Sequence, residues 1–175
     1  MWPQDPPILS DAGITLRAPD DADVAVITKA CADLDIAHFT RVPQPYTEAD
    51  ARDYLALTRQ QWAERSGAHF AICDLSGLLG MCSIFHLDEG PDQVELGYWM
   101  APWARGKGAA AQAVRILCDW GHSQLGLERI YALIEDVNLA SIRVATAAGF
   151  QALDATEDSE LKGTMRHLRR YEHHA

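Results

Sequence analysis

The feature that most constrains this chain is a glycine-rich loop between a strand-like run and a helix-like run. The loop spans residues 105–110 and joins the largely apolar run 94–100 to a helical pattern over 109–125. In it two cations alternate with two glycines: Arg105, Gly106, Lys107 and Gly108. The first turn of a helix has backbone N–H groups without intrahelical partners, and glycine lets an anion approach them closely. The loop therefore predicts a seat for a phosphate or diphosphate group.

Two familiar phosphate motifs fit this loop poorly. A P-loop needs Ser or Thr after its lysine to bind magnesium, whereas Lys107 is followed by Gly108. A dinucleotide fingerprint needs GxGxxG, but residues 106–111 end in alanine, and neither a first-strand position nor a downstream ribose-binding acid supports it. A magnesium-dependent nucleotide enzyme therefore stays open only as a weak alternative.

Length and charge narrow the class of protein. The chain has 175 residues with 15 basic and 25 acidic side chains, a net charge of −10, which argues against nucleic acid or an anionic membrane as the main partner. We predict a single domain over residues 13–175 after an extended leader, residues 1–12. The four cysteines form no CxxC pair, so we interpret them as buried thiols of a cytoplasmic protein without a metal site. They are Cys31, Cys73, Cys82 and Cys118.

Hydrophobic periodicity predicts an α/β chain with a mixed sheet. Strands are expected at residues 14–17, 69–73, 78–86, 93–100, 129–134, 150–156 and 164–171. Helices are expected at residues 19–34, after a capping box at 47–50, at 109–125, and from the capping residue Asn138 to Ala148. Residues 41–46 contain two prolines and are expected to be irregular.

Four motifs together resemble the GNAT superfamily of acyl-CoA-dependent N-acetyltransferases. Residues 105–110 match the family's (Arg/Gln)-x-x-Gly-x-(Gly/Ala) loop. The other three are residues 95–100, similar to the family's fourth strand, 138–143, similar to its Asn-x-x-Ser helix start, and 148–150, similar to its Gly-Phe junction. The Leu16-Arg17 pair in the first strand and the proline-rich approach to the second helix resemble the Rim-type branch, which includes acetyltransferases of ribosomal-protein N-termini.

The resemblance implies a mostly antiparallel sheet that is splayed at its centre and flanked by helices. It implies a bulge in the fourth strand, and Gly97 within that strand is compatible with a bulge, a close backbone approach or simple packing. It also implies that acetyl-CoA is the cosubstrate, with its diphosphate on the loop and its pantetheine arm beside the strand. The residues expected to bind it are Trp99, Met100, Arg105, Gly106, Lys107, Gly108, Ala109, Ala110, Asn138, Ser141 and Arg143.

Attack on a thioester requires a neutral amine. At pH ~7.5, deprotonating an alkylammonium of pKa ~10.4 costs about 4 kcal/mol, whereas an α-amino group near 8 costs under about 1 kcal/mol. Glu95 is the candidate base, acting directly or through water, although a structural ion pair also explains it. A backbone N–H near Trp99 or Met100 is expected to bind the oxyanion. Ser141 is the candidate donor to the leaving thiolate, although Asn138 and Ser141 also fit simple helix capping.

The sequence therefore predicts an enzyme that moves an acetyl group directly to a primary amine, either a protein N-terminus or a small molecule. The alternative is a non-catalytic acyl-CoA-binding sensor, which binds the donor without turnover. We expect an amine acceptor as partner, neither nucleic acid nor membrane, and allow for a homodimer. His38, His69 and His86 are interpreted as ordinary surface or strand residues.

Overall fold

The computed structural model describes residues 2–90 and 94–175, which form one eight-stranded sheet with helices against both faces. The strands are β1 (Leu9–Asp11), β2 (Ile14–Arg17), β3 (Gly67–Asp74), β4 (Gly77–Phe85), β5 (Glu95–Met100), β6 (Arg129–Glu135), β7 (Gln151–Leu161) and β8 (Thr164–His174). Their order is β1-β2-β3-β4-β5-β6-β8-β7, and in the described chain every neighbouring pair is antiparallel except β5 with β6. The predicted α/β class and mostly antiparallel sheet are confirmed.

The sheet separates two apolar layers, and the helices cover them. The helices are α1 (Val24–Cys31), α2 (Leu34–Phe39), α3 (Glu48–Glu64), α4 (Ala109–Leu125) and α5 (Leu139–Ala147), with 3₁₀ turns at Asp21–Asp23 and Pro102–Ala104. Alternation along β3 sends Phe70 to the face that packs on Leu117 of α4, and Ala71 to the face that packs on Leu55 of α3. The sheet is therefore buried on both sides at its centre.

The sheet opens between β5 and β6. These parallel strands share one register pair, Glu95 with Tyr131, and the Tyr131 N–H donates to the Val94 carbonyl at 3.0 Å. Beyond that pair, β5 continues along β4 and β6 continues along β8. The gap between residues 96–100 and 132–135 is called the β5–β6 opening below, and it is the splay that the family resemblance implies.

Most predicted elements are found, with two additions. The helix over 109–125 is reproduced at both ends, and the capping box is present between Thr47 and Asp50. Strand β1 and helix α2 were not predicted, and β7 and β8 are longer than expected. The helix expected over 19–34 is shorter, because it begins after a 3₁₀ turn and ends at Cys31. The predicted strand start at Gln93 and the preceding Pro91 lie outside the described residues.

The first residues of the chain contact the rest of it. Leu9 pairs with Leu16 in the sheet, the Trp2 and Trp62 rings lie 4.3 Å apart, and the Trp62 indole donates to the Gln4 carbonyl at 3.1 Å. The division of the chain at residue 12 stays a prediction.

All four cysteines are buried and free. Among the described residues, none of the helices combines the length and apolarity needed to span a bilayer.

Candidate active site

The glycine loop forms an open helix N-terminus. Gly106 and Gly108 have φ of 78° and 79°, a left-handed conformation that favours glycine. Gly108 is the N-cap of α4, no side chain in the described chain caps it, and its carbonyl accepts from the Gln112 N–H at 3.2 Å. The N–H groups of residues 109–111 come before this first helical hydrogen bond and therefore have no acceptor within the helix. A Cβ on Gly108 would meet nothing within 4 Å. The loop therefore has the backbone donors and the free space that a diphosphate needs.

The two loop cations differ in what they contact. The Arg105 guanidinium lies 2.5 Å from Asp33 and 3.3 Å from Asp35, and its Nε donates to the Met100 carbonyl at 3.3 Å. Arg105 thus ties the loop to the start of α2. Lys107 lines a cavity of about 250 Å³ together with Ala109 and Gln112 of the first turn of α4, and this cavity also reaches Asp74.

The backbone of β5 faces the opening at alternate residues. The Val94 carbonyl points to β6, whereas the Ala101 N–H donates to the Leu79 carbonyl of β4 at 2.8 Å. Because successive strand residues direct their backbone groups to opposite edges, Tyr98 and Met100 share the edge of Val94. Of the two N–H groups predicted for the oxyanion, that of Met100 therefore lies at the opening, and that of Trp99 faces β4.

The bulge expected in β5 is not found. Pairing with β4 runs without a register shift from Gly80 opposite Met100 to Phe85 opposite Glu95, so that expectation is wrong. Glycine is instead favoured at position 97 because the Phe85 ring packs over it. A Cβ at this position would lie 3.0 Å from Phe85 Cε2. Of the three readings given above, packing explains this glycine.

Glu95 lies where β5 and β6 part. Its side chain is 31% exposed, and its carboxylate is 3.8 Å from His86 Nε2. Burial raises the pKa of Glu95, although the positive charges of Arg41 and Arg170 and an interaction with His86 favour its ionised form. A carboxylate with a raised pKa is a stronger base than one in water.

Helix α5 begins beside the opening. Asn138 caps it, because its side chain accepts from the Ser141 N–H at 3.1 Å. The Tyr98 hydroxyl oxygen lies 2.6 Å from the Ser141 hydroxyl oxygen and 2.9 Å from the Ser141 carbonyl oxygen. Arg143 is exposed on the same helix. The predicted capping is confirmed, and the structure brings Ser141 together with a residue that was not predicted.

Tyr98 was missed because alternation placed it with the apolar residue Leu96. The available signal was its hydroxyl, since a largely buried tyrosine usually bonds its O–H to a partner. The other predicted residues fall into two groups. Residues 105–110 and Asn138 flank the opening, whereas the Trp99 side chain packs against both apolar layers.

Comparison with known proteins agrees with this geometry. Residues 14–151 match the model of the acetyltransferase (GNAT) domain. An uncharacterized N-acetyltransferase of Bacillus licheniformis, p20, is 28% identical over 150 residues, covering 84% of each chain. A probable N-acetyltransferase of Bacillus subtilis, YjcK, is 32% identical over 113 residues, covering 63% of this chain and 62% of that protein.

Two solved structures share the fold. RimL, a ribosomal alpha-N-protein acetyltransferase in complex with coenzyme A, has a TM-score of 0.85 at 17% identity, covering 96% of this chain and 98% of that one. A spermidine N-acetyltransferase of Vibrio cholerae in complex with CoA and spermine has a TM-score of 0.78 at 18% identity, covering 94% and 96%. The chain therefore belongs to the GNAT family, as an N-acetyltransferase that takes its acetyl group from acetyl-CoA.

Proposed function

We propose that this N-acetyltransferase acts on the α-amine of a protein N-terminus, with Glu95 as general base and Ser141 as donor to the leaving sulfur. The observation that carries the proposal is the half-buried Glu95 carboxylate at the point where β5 and β6 separate. Its raised pKa suits the removal of a proton from an amine that is already close to neutral.

The ease of deprotonation favours this acceptor. A single α-amine of pKa near 8 loses its charge at little cost, whereas an alkylammonium needs much stronger help from a base. The charges around Glu95 do not decide between acceptors, because the Arg170 guanidinium already pairs with Glu157 at 3.3 Å and Glu172 at 2.9 Å. RimL is described as a ribosomal alpha-N-protein acetyltransferase, which supports the same acceptor. A small amine is the competing acceptor, because the spermidine enzyme shares the fold.

The donor is proposed to lie along the opening, with its diphosphate on the loop. The N–H groups of residues 106–110 bind the diphosphate, while Lys107 and Arg143 contribute charge from the edges. Met100, Trp99 and Asn138 border the pantetheine arm. Arg105 is proposed to contribute through its backbone, because its guanidinium bonds Asp33 and Asp35.

Each protein group then has one task. The amine nitrogen adds to the thioester carbon, and the Met100 N–H donates to the carbonyl oxygen. Glu95 accepts the proton that the nitrogen loses. The C–S bond breaks, its electron pair goes to sulfur, and the Ser141 hydroxyl donates a hydrogen bond to that sulfur. We also propose a cytoplasmic location, which four free thiols support.

The acceptor is tested by following thiol release from acetyl-CoA with a panel of amines. The panel contains peptides that begin with Ala or Ser, the same peptides with a blocked N-terminus and an internal lysine, and spermidine. We expect turnover with the free N-termini and little with the other two. Turnover confined to spermidine would assign the enzyme to small amines, and donor binding without any turnover would favour the sensor.

The base is tested by Glu95→Gln, which keeps the size of the side chain and removes its basicity. We expect kcat to fall about 100-fold, the lower range for loss of a general base, with acetyl-CoA affinity unchanged. The matched control is Glu89→Gln, an exposed carboxylate that bonds His86 from the solvent side. An equal loss in both variants would assign the effect to general charge and not to a base.

A further inference from the structure

The contact between Tyr98 and Ser141 bridges the β5–β6 opening. The residues are 43 positions apart, one on β5 and one on α5, and their hydroxyl oxygens lie 2.6 Å apart. The Tyr98 hydroxyl is also 2.9 Å from the Ser141 carbonyl oxygen. A phenol that lies this close to two oxygens of one residue has little freedom, so it limits the directions in which the serine proton can point.

Counting protons gives two arrangements of this pair. A phenol carries one proton, so Tyr98 donates either to the Ser141 carbonyl or to the Ser141 hydroxyl oxygen. In the first arrangement the short contact requires the serine proton to point at Tyr98, away from the opening. In the second the serine oxygen is already an acceptor, and its own proton is free to point into the opening.

The second arrangement is available at small cost. The carbonyl of a residue in a helix interior accepts from the N–H four positions on, so Ser141 C=O has a second partner within α5. Burial raises the pKa of Tyr98 to about 12, so the phenol keeps its proton throughout the neutral range. The helix start is independent of this pair, because Asn138 caps it through the Ser141 N–H.

We propose that Tyr98 is a positioning residue for the leaving-group step, holding the Ser141 hydroxyl by donating to its oxygen so that the serine proton points at the departing sulfur. The proposal rests on the function proposed above for Ser141. Bonds in series polarise one another, so a phenol donating to the serine oxygen also makes the serine a better donor.

The step balances without a proton leaving Tyr98. The C–S bond breaks and its electron pair goes to sulfur, which accepts the Ser141 hydrogen bond as a thiolate. The proton lost by the amine passes to Glu95 and then to water, and the thiolate takes a proton from water after release. Tyr98 and Ser141 are unchanged at the end of the cycle.

A double-mutant cycle of Tyr98→Phe and Ser141→Ala tests the proposal. We expect each single variant to lower kcat, Tyr98→Phe by about fivefold to tenfold, the effect of one neutral hydrogen bond, with little change in KM for acetyl-CoA. The double variant is expected to match Ser141→Ala, because Tyr98 acts only through the serine hydroxyl. A residue that merely braces α5 would give losses that multiply.

The control is Tyr171→Phe, which removes a hydroxyl from a buried tyrosine of the apolar layer on α4. It is expected to keep the kcat of the unmodified enzyme. Wild-type kcat in Tyr98→Phe, with a loss in Ser141→Ala, would overturn the role of Tyr98 and leave that of Ser141. Wild-type kcat in Ser141→Ala would overturn both roles. Losses that multiply in the double variant would overturn the role of Tyr98 and leave that of Ser141.

Discussion

Gly108 and Gly126 begin and end the same helix with the same backbone geometry. Their φ values are 79° and 70°, and a Cβ on either would meet no atom within 4 Å. The left-handed conformation costs an alanine about 1 kcal/mol at each position. The two sites therefore carry equal strain, but only Gly108 borders the proposed diphosphate seat.

We expect Gly108→Ala and Gly126→Ala to lower the free energy of unfolding by the same amount, about 1 kcal/mol each. Gly108→Ala should also weaken acetyl-CoA binding about tenfold, because its methyl group takes up part of the free space at the proposed diphosphate seat. Thermal unfolding and calorimetry measure the two effects. Equal affinities in both variants would place the diphosphate elsewhere.

At the scale of elements, α2 depends on contacts from distant parts of the chain. Six residues are too few for a helix to be stable by itself. Arg105 bonds Asp33 at its start, and Lys162, at the turn between β7 and β8, donates to the carbonyls of Ala37 and Val42 near its end. The glycine loop and the β7–β8 hairpin therefore hold α2 between them.

Asp33→Asn separates capping from charge, because asparagine still accepts from the Ile36 N–H but loses the ion pair with Arg105. With the Arg105 side chain 37% exposed, the pair is worth about 1 kcal/mol. We expect amide hydrogen exchange in α2 to become about fivefold faster. The control is Asp35→Asn, whose carboxylate is 74% exposed and lies 3.3 Å from Arg105. If amide exchange in α2 became faster by the same factor in both variants, the Asp33–Arg105 ion pair would not be what stabilises this helix.

These contacts explain which elements the sequence could predict. Helix α4 carries its own boundary signals in Gly108 and Gly126, and α3 carries a capping box, so both were found. Helix α2 has neither a long apolar stripe nor a terminating glycine, and its first residue, Leu34, is 76% exposed. Its partners are about 70 and 125 positions away, beyond the reach of local patterns.

The same limit applies to the site. Local motifs indicated Glu95, the glycine loop and the cap at Asn138, because each belongs to one continuous segment. The direction of the Arg105 guanidinium and the bridge from Tyr98 to Ser141 depend on how segments meet in three dimensions. The family resemblance did not supply these contacts either. At Gly97 it implied a bulge, whereas the strand is regular there and the Phe85 ring packs over the glycine.

At the scale of the whole molecule, a buried polar group links the face of α3 to the centre of the sheet. His69 of β3 is 4% exposed, with Nδ1 at 2.8 Å from the Ser83 hydroxyl and Nε2 at 2.6 Å from the Gln61 side-chain oxygen. Burial lowers the pKa of His69 to about 4. The folded protein therefore keeps this imidazole neutral at pH values where the unfolded chain protonates it.

This difference makes stability depend on pH in a defined direction. An unfolded histidine takes up a proton below about pH 6.5, so the free energy of unfolding falls as the pH drops from 6.5 towards 4. For His69 the expected loss between pH 7 and pH 5 is about 2 kcal/mol. His173 also has a lowered pKa, caused first by burial and then by His122, and it acts with the same sign. The raised pKa of Glu95 acts with the opposite sign.

His69→Gln isolates the contribution of His69, because the effects of His173 and Glu95 are common to both proteins and cancel in the comparison. Glutamine is less stabilising at pH 7, but it has no charge to gain, so urea unfolding should show a loss between pH 7 and pH 5 that is smaller by about 2 kcal/mol. His167→Gln, at a largely exposed histidine, is the matched control and should keep the full dependence. If His69→Gln kept it as well, the acid sensitivity would arise from groups other than His69.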